Sequence, residues 1–166
     1  MEHLSIVPVD KIPKDIVDCP TDNLLHLYKT CLQMTLLCLK ENGIGLSAVQ
    51  VGIPWRLFIV RYIDNGKDSF RFFLNCRYTQ TTEDKEKSLE GCLSLRNTAG
   101  ELRHFQVNRY TNIKVEGHEL KAAQELKVEP VIVEPKDYYR FVFQHEIDHQ
   151  NLILISDIGV EFEVWK

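Results

Sequence analysis

Two segments of the chain repeat apolar residues at helical spacing, and between them the pattern changes to short alternating runs. From Asp22, a good N-cap, Leu24, Leu27, Tyr28, Cys31, Met34, Thr35 and Cys38 recur on one face until Asn42-Gly43 supplies a stop, which predicts a long N-terminal helix. Past Pro54, "RLFIVRYI" and "FRFFLN" read as strands on either side of Asn65-Gly66, a hairpin whose loop is expected to exceed two residues. "TTEDKEKSLE" is charged and reads as a solvated turn or edge strand. "FQVNRYTNIKVEGHEL" and "ELKVEPVIVEP" read as further strands, with Pro130 and Pro135 favouring edges and ends. A second helix is expected to open at Pro135 and run through "KDYYRFVFQHEIDHQN", with Tyr138, Phe141, Val142, His145, His149 and Leu152 along one face. "IGVEFEVWK" suits a final strand, and residues 1–20, with Pro8, Pro13 and Pro20, read as an extended arm. No internal repeat or boundary between cores is evident, so one domain over residues 1–166 is expected.

Composition narrows the partners. At 44% hydrophobic residues a chain of this length builds a core without crosslinks. A formal charge of -4 argues against a broad grip on nucleic acid or anionic lipid, so neither nucleic-acid specificity nor a membrane contact is expected. The start lacks a basic, apolar leader, and no later run approaches membrane-spanning length. Five cysteines, odd in number and without C-x-x-C, suggest neither a disulfide framework nor a zinc ribbon, and point to a reducing cytoplasm.

The candidate chemistry lies in "QHEIDH". Histidines at i and i+4 on one helical face can reach one cation, and the glutamate between them can face its bound water. The predicted fold class is therefore α+β, with antiparallel β-sheets around a central metal-binding helix and a second long N-terminal helix. A catalytic site also needs a third ligand and an open position for water. No histidine follows His149, and Glu161 and Glu163 sit in the last few residues. Upstream, Cys19, Cys76, Cys92, His104 and His118 are candidates; Cys92 stands out because it is embedded in "LEGCLSL", where Gly91 permits close backbone approach.

Three segments together, "GIGLSAVQ" (Gly43 to Gln50), "EGCLS" (Glu90 to Ser94) and "QHEIDH" (Gln144 to His149), resemble the signature blocks of the peptide deformylase family, in the family's order. The resemblance extends to the preceding helix and to Val107 to Val115, covering most of residues 20–157. It implies that Cys92, His145 and His149 bind one divalent metal ion, usually Fe2+ in that family, with Zn2+, Ni2+ or Co2+ able to replace it. It further implies hydrolysis of the formyl group from the N-terminal formylmethionine of new polypeptides. In that reaction metal-bound water attacks the formyl carbonyl, Glu146 serves as general base and then acid, and the Gln50 amide and Leu93 backbone N–H stabilise the oxyanion. Ile44, Gly45 and Gly91 would hold the peptide, and Ile44, Tyr138, Phe141 and Val142 would line the methionine pocket. Glu90 and Asp148 are candidates for orienting ligands or pairing with an arginine.

The chain departs from the family in having Ser47 in place of the usual alanine, no proline after the second block, and Leu152 where glycine is common. After Asp157 it lacks a long C-terminal helix, as do compact members, some phage-encoded. The expected partners are formyl-Met nascent peptides and, weakly, the ribosome, approached by a monomer in the cytoplasm (the host cytoplasm for a phage protein). Two competing readings are a metallopeptidase with a downstream carboxylate ligand and a catalytically silent binder of nascent chains.

Overall fold

A computed structural model describes residues 3–164. The long helix α1 spans Leu24–Lys40, and its N-cap is Asn23 rather than Asp22: the Asn23 side chain accepts the His26 backbone N–H at 3.0 Å. Both residue types cap well, and only one register satisfies the orphan donor. The helix ends where Asn42 takes a left-handed φ of 52° and the Gly43 N–H turns back to the Cys38 carbonyl.

The described residues form eight strands: β1 Gly45–Ser47, β2 Leu57–Asp64, β3 Lys67–Gln80, β4 Lys85–Arg96, β5 Leu102–Tyr110, β6 Ile113–Lys121, β7 Lys127–Val133 and β8 Gly159–Phe162. Every pairing between them is antiparallel, with order β1-β2-β3-β6-β7 in one sheet and β4-β5-β8 in the other. The β2–β3 loop is tighter than the sequence suggested: Asp64 pairs with Lys67, and Asn65 and Gly66 both have positive φ, the geometry of a two-residue primed turn. "FQVNRYTNIKVEGHEL" divides at Thr111-Asn112 into β5 and β6, which join different sheets. Pro130 lies on β7, an edge strand, as its missing N–H requires.

Alternation along β2 and β3 builds a core on each face of the larger sheet. Leu57, Ile59, Phe72 and Leu74 pack with α1 residues Leu27, Cys31, Met34 and Cys38, while Phe58, Val60 and Phe73 pack with Phe143 and Ile147 of the second helix. That helix, α2, is Tyr139–Gln150. It starts four residues later than expected, because Asp137 takes φ 52° and the segment after Pro135 forms a turn, with the Tyr139 N–H reaching the Lys136 carbonyl. It also stops before Leu152, which has φ 60°, is half exposed and is not on the helical face. Residues Phe141–Gln150 are all buried, so α2 is a central helix whose polar side chains need internal partners.

A single-turn helix, α3 (Ile155–Ile158), leads into β8 and contributes Ile155 to a third core with Cys92, Leu95, Phe105 and Val107. From residue 3 onward the arm covers the domain, extended apart from a 3-10 turn at Val9–Lys11: the Val7 N–H donates to the Gln50 carbonyl and Val17 bridges Trp55. No helix among the described residues is long and apolar enough to cross a membrane.

Candidate metal centre

The two sheets meet at α2, and their seam collects the ionisable groups. On β4 the usual alternation is inverted: Leu89 is exposed, whereas Ser88, Glu90 and Cys92 point inward. A buried polar row opposite a polar helix face is stable only if the two satisfy each other. Glu90 accepts from His145 Nδ1 at 2.8 Å and takes two bonds of 2.8 Å from Arg109, which also reaches Asp148 at 2.5 Å; the Tyr78 hydroxyl donates to the other Asp148 oxygen at 3.3 Å. Burial raises the Glu90 carboxyl, but Arg109 and His145 more than offset this and hold it at about 2. Glu90 thereby fixes the His145 ring and leaves Nε2 for the cleft, the usual arrangement behind a ligating imidazole.

Cys92, His145 and His149 present Sγ and ring nitrogens within 4.8 Å of one another, all buried, and Cys92 Sγ lies 3.4 Å from His149 Nε2. Burial opposes the Cys92 thiolate, yet the neighbouring His149 and His145 bring the thiol well below its ordinary value. Burial instead pushes Cys19, Cys38 and Cys76 up to about 12 and Cys31 upward as well. One thiolate and two imidazoles, already converged, are donors of the type that a divalent transition metal takes. The other candidate ligands are elsewhere. Cys76 and Cys19 belong to apolar cores, His118 lies on β6, and Glu161 is bonded to Arg103.

Glu146 stands beside this cluster. A Cβ on Gly45 would fall 2.6 Å from its Oε1, so β1 can approach the carboxylate this closely only with glycine. Burial raises the Glu146 carboxyl to about 7 against the pull of His145 and His149. Its Oε2 is buried with no hydrogen-bond partner among the described groups. Gln50 belongs to a 3-10 turn, Ala48–Val51, where its Oε1 accepts the Ser47 N–H; the remaining Nε2 donates to Ser94 and faces Cys92 Sγ at 3.6 Å. Leu93 lies in a break of the β4–β5 ladder: no β5 residue is in register with Cys92 through Leu95.

Ile44, Gly45, Gly91, Leu93, Tyr138, Phe141 and Val142 line one cavity of about 190 Å³ together with Gln50, Cys92, His145 and Glu146. Sequence reasoning missed Arg109, whose buried charge has no local signature, and left His104 among the ligand candidates, whereas it lines the cavity wall. Three converged metal donors, a carboxylate near neutrality and an amide donor around one cavity are the parts that a hydrolytic centre needs.

Comparison with known proteins agrees. The family model described as polypeptide deformylase matches residues 8–162. A peptide deformylase of Brachyspira hyodysenteriae is 35% identical over 153 residues, covering 90% of this chain and 70% of that protein. Among solved structures, the peptide deformylase of Thermotoga maritima superposes with a TM-score of 0.77 at 28% identity, covering 95% of this chain and 98% of the other. A probable peptide deformylase from Synechococcus phage S-SSM7 gives 0.77 at 25%, covering 93% and 99%. The chain belongs to the polypeptide deformylase family, and it is an enzyme of that family.

Proposed function

We propose that this enzyme removes the formyl group from N-terminal formylmethionine of newly made polypeptides, with Cys92, His145 and His149 holding one Fe2+, a site that Zn2+, Ni2+ or Co2+ also fits. The observation that carries the reading is the convergence of these three donors beside Glu146, across from two glycine-bearing strands. Bound there, the ion supplies Lewis acidity towards a carbonyl and towards water. Glu146 takes the proton from the attacking water and passes it to the departing amine, a role suited to a carboxyl poised at about 7. Gln50 Nε2 and the Leu93 N–H donate to the formyl oxygen as it gains charge. The backbones of Ile44, Gly45 and Gly91 hold the peptide, and Tyr138, Phe141, Val142 and Ile44 enclose the methionine side chain. Its action is on nascent chains in the cytoplasm, as a monomer with at most a weak ribosome contact; the free cysteines suit a reducing compartment, and the net charge of -4 disfavours a strong grip on ribosomal RNA.

The test is formate release by anaerobically prepared, iron-loaded protein offered formyl-Met-Ala and its acetyl analogue. Formate from the first alone, lost in Glu146→Ala with metal content retained, supports the reading. Undiminished metal content and rate in Cys92→Ala would overturn it.

A further inference from the structure

The long helix α1 is apolar on both faces. Leu27, Cys31, Met34, Leu37 and Cys38 are buried in the protein, yet Leu25, Leu32, Leu36 and Leu39 on the outside are between 39% and 68% exposed. At about 100° per residue these four leucines fall within a sector of about 60°, a stripe that runs about 21 Å along the helix. Tyr28 and Thr35 follow on one side of it, and with Leu25, Leu32 and Leu39 they complete the alternating spacing of three and four by which helices pair. On that side α1 borders a groove of about 430 Å³, lined also by Phe70, Phe72 and Leu120 and by Arg71, Glu119 and Lys121. Glu119 is buried, whereas Arg71 and Lys121 keep 34% and 41% of their side chains exposed. Lys29 and Lys40 lie on the other side of the stripe, and α1 contains no acidic residue. An apolar channel with cations along both edges thus lies open on a protein whose net charge is -4.

We infer that α1 and this groove form a docking surface for an acidic amphipathic helix of a partner protein. The apolar ridge of that helix enters the groove beside the leucine stripe, and its flanking carboxylates meet Lys29 and Lys40 on one edge and Arg71 and Lys121 on the other. Two other occupants fit less well. A second copy of α1 would set lysines against lysines, and the stripe, about 21 Å by 10 Å, covers about a quarter of the roughly 800 Å² that each copy buries in a stable dimer. A bilayer cannot enter the groove, and a stripe of about 60° is the narrow kind that pairs helices.

The experiment follows the fluorescence anisotropy of a labelled peptide of about 18 residues, with leucine at heptad positions a and d and glutamate at e and g, titrated with metal-loaded protein. Comparison peptides carry lysine at e and g, or serine at a and d. The glutamate peptide should bind, both comparison peptides should bind at least about tenfold more weakly, and added salt should weaken the glutamate peptide. Leu36→Glu should lower its affinity about tenfold, and Lys29→Glu should shrink the preference for glutamate over lysine. Formate release from formyl-Met-Ala should stay within about twofold of wild type in both variants, since neither residue lines the cavity at the metal centre. No binding of the glutamate peptide, equal binding of the lysine peptide, or an unchanged affinity in Leu36→Glu overturns the docking surface and leaves deformylation untouched. So does a dimer in sedimentation that Leu36→Glu dissolves, which assigns the face to a second copy. Capture by phosphatidylserine vesicles that Leu36→Glu abolishes also overturns it, and assigns the face to a membrane.

Discussion

Replacing Arg109 with leucine removes the cation that bridges Glu90 and Asp148. All three side chains are at most 8% exposed, and the guanidinium makes three bonds of 2.5–2.8 Å to the two carboxylates. Breaking a buried ion pair from one side costs about 3–5 kcal/mol, because a charge is left without compensation. Here two carboxylates share one partner, and the Tyr78 hydroxyl and His145 still hold one bond each, so the same range applies rather than its double. Against a total stability of about 5–15 kcal/mol the variant folds, but marginally. In urea, with a slope near 2 kcal/mol/M, the midpoint should fall by about 2 M. Loss of the Glu90 orientation should also weaken metal binding about 10- to 100-fold, read by competition with a chelator. Arg109→Lys should recover little, since one ammonium cannot reproduce the fork to Glu90 while reaching Asp148. Arg109→Leu combined with Glu90→Gln should recover part of the stability without the metal affinity. A midpoint shift below about 0.5 M in Arg109→Leu at pH 7 would refute the reasoning, for it would mean that the pair is hydrated.

Three further outcomes are expected. Gly45→Ala should lower kcat with the metal retained, because the added carbon lies 2.6 Å from Glu146 Oε1 and must displace it; the overpacking costs about 1–3 kcal/mol, measurable by thermal unfolding. Gln50→Leu should reduce kcat about 10²- to 10³-fold with little change in KM, since the donor acts on charge that develops only in the transition state; an equal loss in both parameters counts against the role. Burial of Glu119 opposes its charge, but Arg71 and Lys121 lower its carboxyl below the ordinary range, so it stabilises the fold above the unfolded value of about 4.3. That stabilisation disappears as pH falls through the lowered native value. Wild type and Glu119→Gln should therefore differ in unfolding free energy at neutral pH and converge in acid.

The two helices, the hairpin and the α+β class were legible because each rests on local periodicity: Leu27, Cys31, Met34 and Cys38 can pack together only in a helix. The meeting of His145 and His149 was legible in their spacing, and that of Cys92 with them in the three segments that resemble one family. The start of α2 was not, because Pro135 suits the first turn of a helix and nothing local announces that Asp137 turns the chain first. The partner of Glu90 escaped notice because Arg109 sits opposite Glu86 in the β4–β5 register, and its long side chain reaches along the sheet to Glu90, a meeting that neither segment announces. A clue lay in "SLEGC", where a glutamate takes the inward place that its leucine neighbour ought to hold.

The thiol and the imidazoles of the centre come from distant parts of the chain, and that has a consequence for the molecule's first moments. His145 follows Cys92 by 53 residues (145 − 92), so at about 5–20 residues per second the sulfur is made roughly 3–10 s before either histidine. During that interval its most acidifying neighbours do not exist, and neither does the seam between the sheets that later hides it. The period of greatest exposure to oxidants and to stray soft metals thus belongs to birth, before the finished enzyme has a pocket to protect.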